Sequence, residues 1–328
     1  MSVQFELEKP VIYADMNIFR YVGRGDITIV EPERFIWVYS HVHLDELHRN
    51  YQEETLQGIC DLKAIELCEV IENYKATGDL FLSSFKDPFL RYEEYLRSIE
   101  GYENTAEYFF EFMMKAYGAD NFKSLERTPE QFRAEVTKLI DDVPDINLRN
   151  DMQKEVEEVA GKLDCNIQKH MKEHNPIDKT RNALGVTSVK REKLKESASV
   201  IDDIWNLVEP SMEGSLSKNQ FFGFEPIPNI SESLNHTQHS SIQAAYMVLN
   251  ILGINPDKGM AKKEKIKNVF SDSCHAGLAS YCQILLSADR GIINKSKHLY
   301  QYLGCVTHAT LFEYKKGVSI DIVIEDAS

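Results

Sequence analysis

The chain has 328 residues, 43% hydrophobic and 27% charged, enough to bury a sizeable core in two units or one enlarged domain. No apolar run approaches the about 20 residues that span a bilayer, and the opening "MSVQFELEKP" lacks the basic and apolar regions of a signal peptide, so a cytoplasmic protein without a membrane segment is expected. The formal charge of −15 argues against coating nucleic acid by bulk attraction, but it accommodates a nuclease whose carboxylates gather around cations.

Both ends of the chain read as α/β and the middle as helical. "PVIYAD" (10–15) is a short apolar run after a proline, the pattern of a buried strand. "RFIWVYS" (34–40) is a second strand, rich in aromatic and β-branched residues. Helix is expected from His43, and apolar positions three and four apart predict a helix over 54–74; "DLFLSS" (79–84) reads as a short strand. Residues 85 to about 215 carry long charged and amphipathic segments with no clear strand, and 223–240 is punctuated like a connecting loop. "SIQAAYMVLNIL" (241–252) and "DSCHAGLASYC" (272–282) read as helices, and "QILLSAD" (283–289) as a strand that again stops at an aspartate. A helix around "KSKHLYQYLG" and the strand-like "CVTHAT" close the pattern. The basic runs 189–195 and 262–268 read as solvated helix faces, and the six scattered cysteines, with no CxxC pair, as buried free thiols.

Asp15 and Asp289 each close an apolar strand at its C-terminal end, the side on which parallel α/β sheets bind ligands. Glu46 lies six residues beyond the second strand, and Asp272 is expected to open the helix leading into the Asp289 strand. The four can converge on one rim. Carboxylates packed together repel, so they hold protons or recruit a cation, and hard divalent ions such as Mg²⁺ or Mn²⁺ take oxygen ligands. Such an ion activates water and stabilises the leaving oxygen of a phosphodiester. Each acid has a plainer alternative. Asp272, after Ser271, suits a helix N-cap; Asp15 and Asp289 suit turn starts; Glu46 suits an exposed helix position, with Asp45 as a rival.

In chain order, "YADMNIF", "VYSHVHLDEL", "DSCHAGLASYCQILLSADRG" and "KSKHLYQYLGCVTHATLFEY" resemble the strands, acids and helices of PIN-domain metal-dependent nucleases over roughly residues 8–60 and 268–315. The resemblance implies a three-layer α/β/α domain with a central parallel sheet, formed by 1–84 and 235–328 and enlarged by a mostly helical insertion at 85–234. It also implies an endonuclease acting on RNA more than DNA. Asp15, Glu46, Asp272 and Asp289 take the places of the family's Mg²⁺- or Mn²⁺-binding catalytic acids, and Asn17 and Ser287 match the polar residues that orient the first and last of them. The usual domain of this kind is much smaller than this chain.

Lys295 and Lys297 follow the Asp289 strand closely and are candidates to meet substrate phosphates, with a solvated helix face as the alternative. "HVHLDELH" (41–48) also suggests a metallohydrolase, but too few strand candidates exist for a barrel, so His41 and His43 read as packing or capping residues. A regulatory protein or a second copy of the chain is an expected partner. The rival reading is an inactive PIN-like scaffold that docks a protein or RNA through its helical insertion.

Overall fold

The computed structural model describes residues 8–72, 75–100, 146–171, 176–227, 236–257 and 262–322, with isolated positions between 114 and 140 and at 260. Contacts divide the chain into two compact units. One comprises Met1–Tyr102, Leu184–Asp257 and Val269–Ser328; the other comprises Glu103–Ala183 and Lys258–Asn268. The expected helical character of 101–145 lies largely outside the described residues.

The described elements run in order β1 (Val11–Ala14), α1 (Met16–Gly23), β2 (Ile27–Ile29), β3 (Ile36–Ser40), α2 (His41–Arg49), α3 (Glu53–Asp61), β4 (Ile65–Glu72), β5 (Lys75–Leu82) and α4 (Pro88–Ile99). They continue as α5 (Ile146–Met171), α6 (Pro176–Ala183), α7 (Ser188–Lys195), α8 (Val200–Met212), α9 (Lys218–Phe222) and α10 (Gln238–Leu252). The last are α11 (Lys263–Ala279), β6 (Ile284–Ser287), α12 (Arg290–Leu303), β7 (His308–Leu311) and β8 (Val318–Ile320).

The fold is α/β. Six strands form one sheet in the order β5-β4-β3-β1-β6-β7, parallel except for β5, and β2 pairs with β8 in a small separate parallel sheet. Alternation along the strands builds the layers. Ile12, Ala14, Trp37, Tyr39, Ile284 and Leu286 share one buried cluster with residues of α1 to α4. Tyr13 points to the opposite face, where its hydroxyl meets His275 of α11. Helices therefore cover both faces. Among the described residues no helix is long and apolar enough to cross a membrane.

Three expectations need correction. The helix predicted over 54–74 stops at Asp61, and 65–72 is strand β4. Ala64 N bonds to Ile59 O (2.9 Å) and Lys63 N to Cys60 O (3.0 Å), the two bonds of a Schellman stop, with Lys63 at φ +50° where glycine is usual. Of the expected insertion 85–234, residues 85–102 and 184–234 fall in the first unit and 103–183 in the second. Of the six cysteines, all unpaired, Cys282 is buried whereas Cys165 is exposed. The basic runs do lie on helices, with Lys190, Lys193, Lys262 and Lys265 exposed.

Candidate metal centre

Asp15 directly follows β1. Its N–H donates to Leu286 O (2.9 Å), which extends the β1–β6 pairing, and its carbonyl accepts from Ile18 N (2.9 Å). The side chain makes no capping bond to α1. Its Oδ2 accepts instead from Ser287 Oγ (2.8 Å) and Asn17 Nδ2 (3.2 Å). Asn17 is held by Arg20, which also reaches Gln52 Oε1 at 3.1 Å. Ser287 Oγ accepts from Asp289 N (3.0 Å), so one buried hydroxyl ties the first acid to the last. Asp289 is exposed and caps α12, Oδ1 accepting from Gly291 N (2.5 Å) and Ile292 N (3.4 Å).

Glu46 reaches the site from the second turn of α2. Its Oε1 stands 3.5 Å from Arg49 Nη2 and 3.7 Å from His275 Nε2. Burial alone would raise this carboxyl; His275, His43 and Arg49 outweigh it and hold the group down at about 2. The rival Asp45 is engaged elsewhere, accepting from the Tyr95 hydroxyl of α4. His43 closes a capping box, its Nδ1 accepting from Ser40 N (3.1 Å), so the proton sits on Nε2 and donates to Ala14 O (2.9 Å). Burial pushes that ring down to about 3, so it is neutral. His41 is exposed. Tyr13 Oη lies 2.7 Å from both Ser40 Oγ and His275 Nδ1, and burial keeps its proton in place.

Asp272 neither opens nor caps a helix, contrary to expectation. The apolar spacing begins earlier, with Ile266 and Val269 buried, so α11 starts at Lys263 and Asp272 lies well inside it. Burial, and then the charges of Asp15, Asp257, Asp289 and Glu46, raise its carboxyl well above the ordinary range. Asp15 is raised too, chiefly by burial, with Glu46 adding and His275, Ser287 and Asn17 opposing. The four acids named from sequence thus meet in one electrostatic cluster at the C-terminal rim of the sheet.

Two residues were missed. Asp257 follows α10 rather than a strand, in "GINPDKG", so no strand-end pattern marks it. His275 sits inside the helical motif, and nothing in its spacing reveals that its ring would point at Glu46. Lys295 departs from its expected role. It is fully buried, and its Nζ bonds to Asp257 Oδ2 (2.7 Å), Asn250 Oδ1 (3.0 Å) and Asn255 O (3.0 Å), so no donor remains for a phosphate. Lys297 is exposed, two positions on and roughly on the opposite face of α12.

The donor set is all oxygen and suits a hard divalent cation. Two buried polar atoms beside it, His275 Nε2 and Tyr246 Oη, have no hydrogen-bond partner among the described residues. Burial, and then the charges of Asp272, Asp257, Asp289 and Asp15, raise the Tyr246 hydroxyl well above its ordinary value, so it belongs to the same pocket of charge. A water or an ion at this place would satisfy both atoms. Among the described residues, no three His, Cys, Asp or Glu side chains are arranged to hold a metal as they stand. The fit is therefore to an ion resting on one or two carboxylates and keeping waters, as Mg²⁺ does. Comparisons with protein-family models, curated proteins and solved structures find no match.

Proposed function

We propose that the chain is a PIN-like, Mg²⁺- or Mn²⁺-dependent endonuclease that hydrolyses phosphodiester bonds, of RNA in preference to DNA. The observation that supports this most is the placement of the acids. From β1 the chain moves to β3 and β4 on one side, and β6 and β7 lie on the other, so strand order reverses at the β1–β6 junction. Asp15 and Asp289 flank that junction, where open α/β sheets form their binding crevice. Asp272 and Glu46 join them from α11 and α2.

In this reading Asp15, Asp272 and Asp289 surround a metal that would rest on one or two of them and keep waters, and that when bound would activate water and stabilise the leaving oxygen. Ser287 and Asn17 fix Asp15 by binding its Oδ2. Glu46, kept ionised by His275 and Arg49, orients the attacking water or completes the ion's surroundings. Lys297 is exposed and available to phosphate; Lys295 is not. The preference for RNA follows the resembled family.

The test is incubation of the full chain with structured RNA, unstructured RNA and DNA, in Mn²⁺ or in EDTA. Cleavage of RNA in Mn²⁺ that stops in EDTA is expected; no cleavage of any substrate in Mn²⁺ contradicts the reading. The competing reading, an inactive scaffold, has two observations in its favour: Lys295 already neutralises one carboxylate, and among the described residues no closed metal cage stands ready. Calorimetry with Mn²⁺ separates the two, since a dead scaffold takes up no ion.

A further inference from the structure

Lys295 lies in the second turn of α12, 0% exposed. Burying an ammonium to this degree is costly unless it is paired. The fold surrounds it with the Asp257 carboxylate, the Asn250 amide oxygen and the Asn255 carbonyl, and its Nζ lies 4.6 Å from the centre of the Tyr246 ring. Asp257 faces two ways. Oδ2 takes the lysine, while Oδ1 lies over Gly291, where an added Cβ would stand 2.8 Å from it and 3.0 Å from Asp289 Oδ1. The absent side chain at Gly291 lets the two carboxylates come together over the first turn of α12. After Asp15, Asp257 is also the acid whose charge bears most on Asp272.

Resting on the metal-centre reading, we infer that Lys295 is a built-in cation standing in for a second divalent ion, so that the centre binds one ion rather than two. Two-ion sites hold their ions about 3.5–4 Å apart and supply carboxylates to each. The acid placed to serve a second ion is Asp257, and Lys295 neutralises it at 2.7 Å. Lys295 is thus a positioning residue, setting how many cations the cluster admits.

The test is calorimetric titration of the full chain with Mn²⁺, together with the electron paramagnetic resonance spectrum at two equivalents. The parent is expected to bind one ion, with the six-line spectrum of isolated Mn²⁺. Lys295→Met should bind two, with the spectrum of a coupled pair, because Asp257 is released. Adding Asp257→Asn to that variant should return the count to one. A lysine that serves stability alone would change the melting temperature and leave every count at one, which overturns the inference. Two ions in the parent overturn it as well, while leaving the metal-centre reading intact. No ion in the parent overturns both. If Lys295→Met does not fold, Lys295→Gln, which removes the charge but keeps a polar partner for Asp257, is titrated in its place, and a count of one there overturns the inference as well.

Discussion

At the scale of single residues, the acids of the cluster are set against one another. Asp272 prefers its proton in the folded chain, so its contribution to stability is full below the ordinary carboxylate range and is lost as pH rises through its raised value. Glu46, held at about 2, contributes fully above its ordinary value and loses that progressively as pH falls from there toward 2. His43, pushed down to about 3, favours the fold above its ordinary value of 6.5 and loses this on acidification. The difference between the parent and Asp272→Asn therefore isolates Asp272. In EDTA at pH 8 the variant should be more stable by on the order of 1 kcal/mol, with the gap closing toward pH 4. Denaturant melts across that range check this, and a gap independent of pH would contradict it. Ser287→Ala removes a buried donor from Asp15 and an acceptor from Asp289 N, and should cost about 1–3 kcal/mol. It should also weaken Mn²⁺ binding, which calorimetry can compare with Asp45→Asn; that variant disturbs only the Tyr95 contact and should bind as the parent does. Of this cluster, Asp15 and Asp289 were legible because they end strands and Glu46 because it lies in the helix after one; Asp272 was named as a helix start and lies inside α11 instead. Asp257 and His275 became visible only once α10 and α11 were placed against the sheet.

At the scale of elements, the misread segment 54–74 shows what sequence pattern leaves open. Its apolar spacing of three and four continues past Asp61, and the usual glycine signal of a helix stop is replaced by Lys63. A side chain in the left-handed region costs roughly 1–2 kcal/mol, and glycine avoids this at some cost in chain entropy. Lys63 is exposed, so Lys63→Gly should stabilise the chain by about 0.5–1 kcal/mol, read as a rise in the denaturant midpoint. A fall would mean that the lysine side chain makes a contact that outweighs the strain. The strands β1, β3 and β6 were legible because each is a short apolar run bounded by proline, loop or aspartate. The start of α11 was not, since its first turns carry lysines that read as a separate charged stretch.

At the scale of the whole molecule, the described α/β unit brings the charges of five carboxylates to bear on one another, and among the described residues Lys295 pairs with Asp257 and Arg49 with Glu46. An ion that binds only the folded chain must stabilise it. Millimolar Mn²⁺ should raise the melting temperature by several degrees at pH 8, and by less at pH 5, where Asp272 and Asp15 keep more of their protons. Differential scanning fluorimetry reads both; an equal shift at the two pH values would place the ion elsewhere. The general architecture, strands at both ends and helices between, was legible from composition and spacing. The division into units was not, because the sequence has the same charged, amphipathic character on either side of the boundary between residues 183 and 184.

The most direct measurement of the central claim is the initial rate of RNA cleavage in Mn²⁺ by the parent and by Asp15→Asn, with the melting temperature of each. Asparagine keeps the shape of Asp15 and can still accept from Ser287 and Asn17, but it removes one charge from the centre. Loss of one stabilising group of this kind is expected to reduce the rate by about 10²-fold or more. The folded state should survive, with equal or slightly higher stability in EDTA because a buried, repelled carboxylate has gone. Cleavage by Asp15→Asn at the parent's rate would contradict the account, since any hydrolysis would then arise away from the β1–β6 crevice.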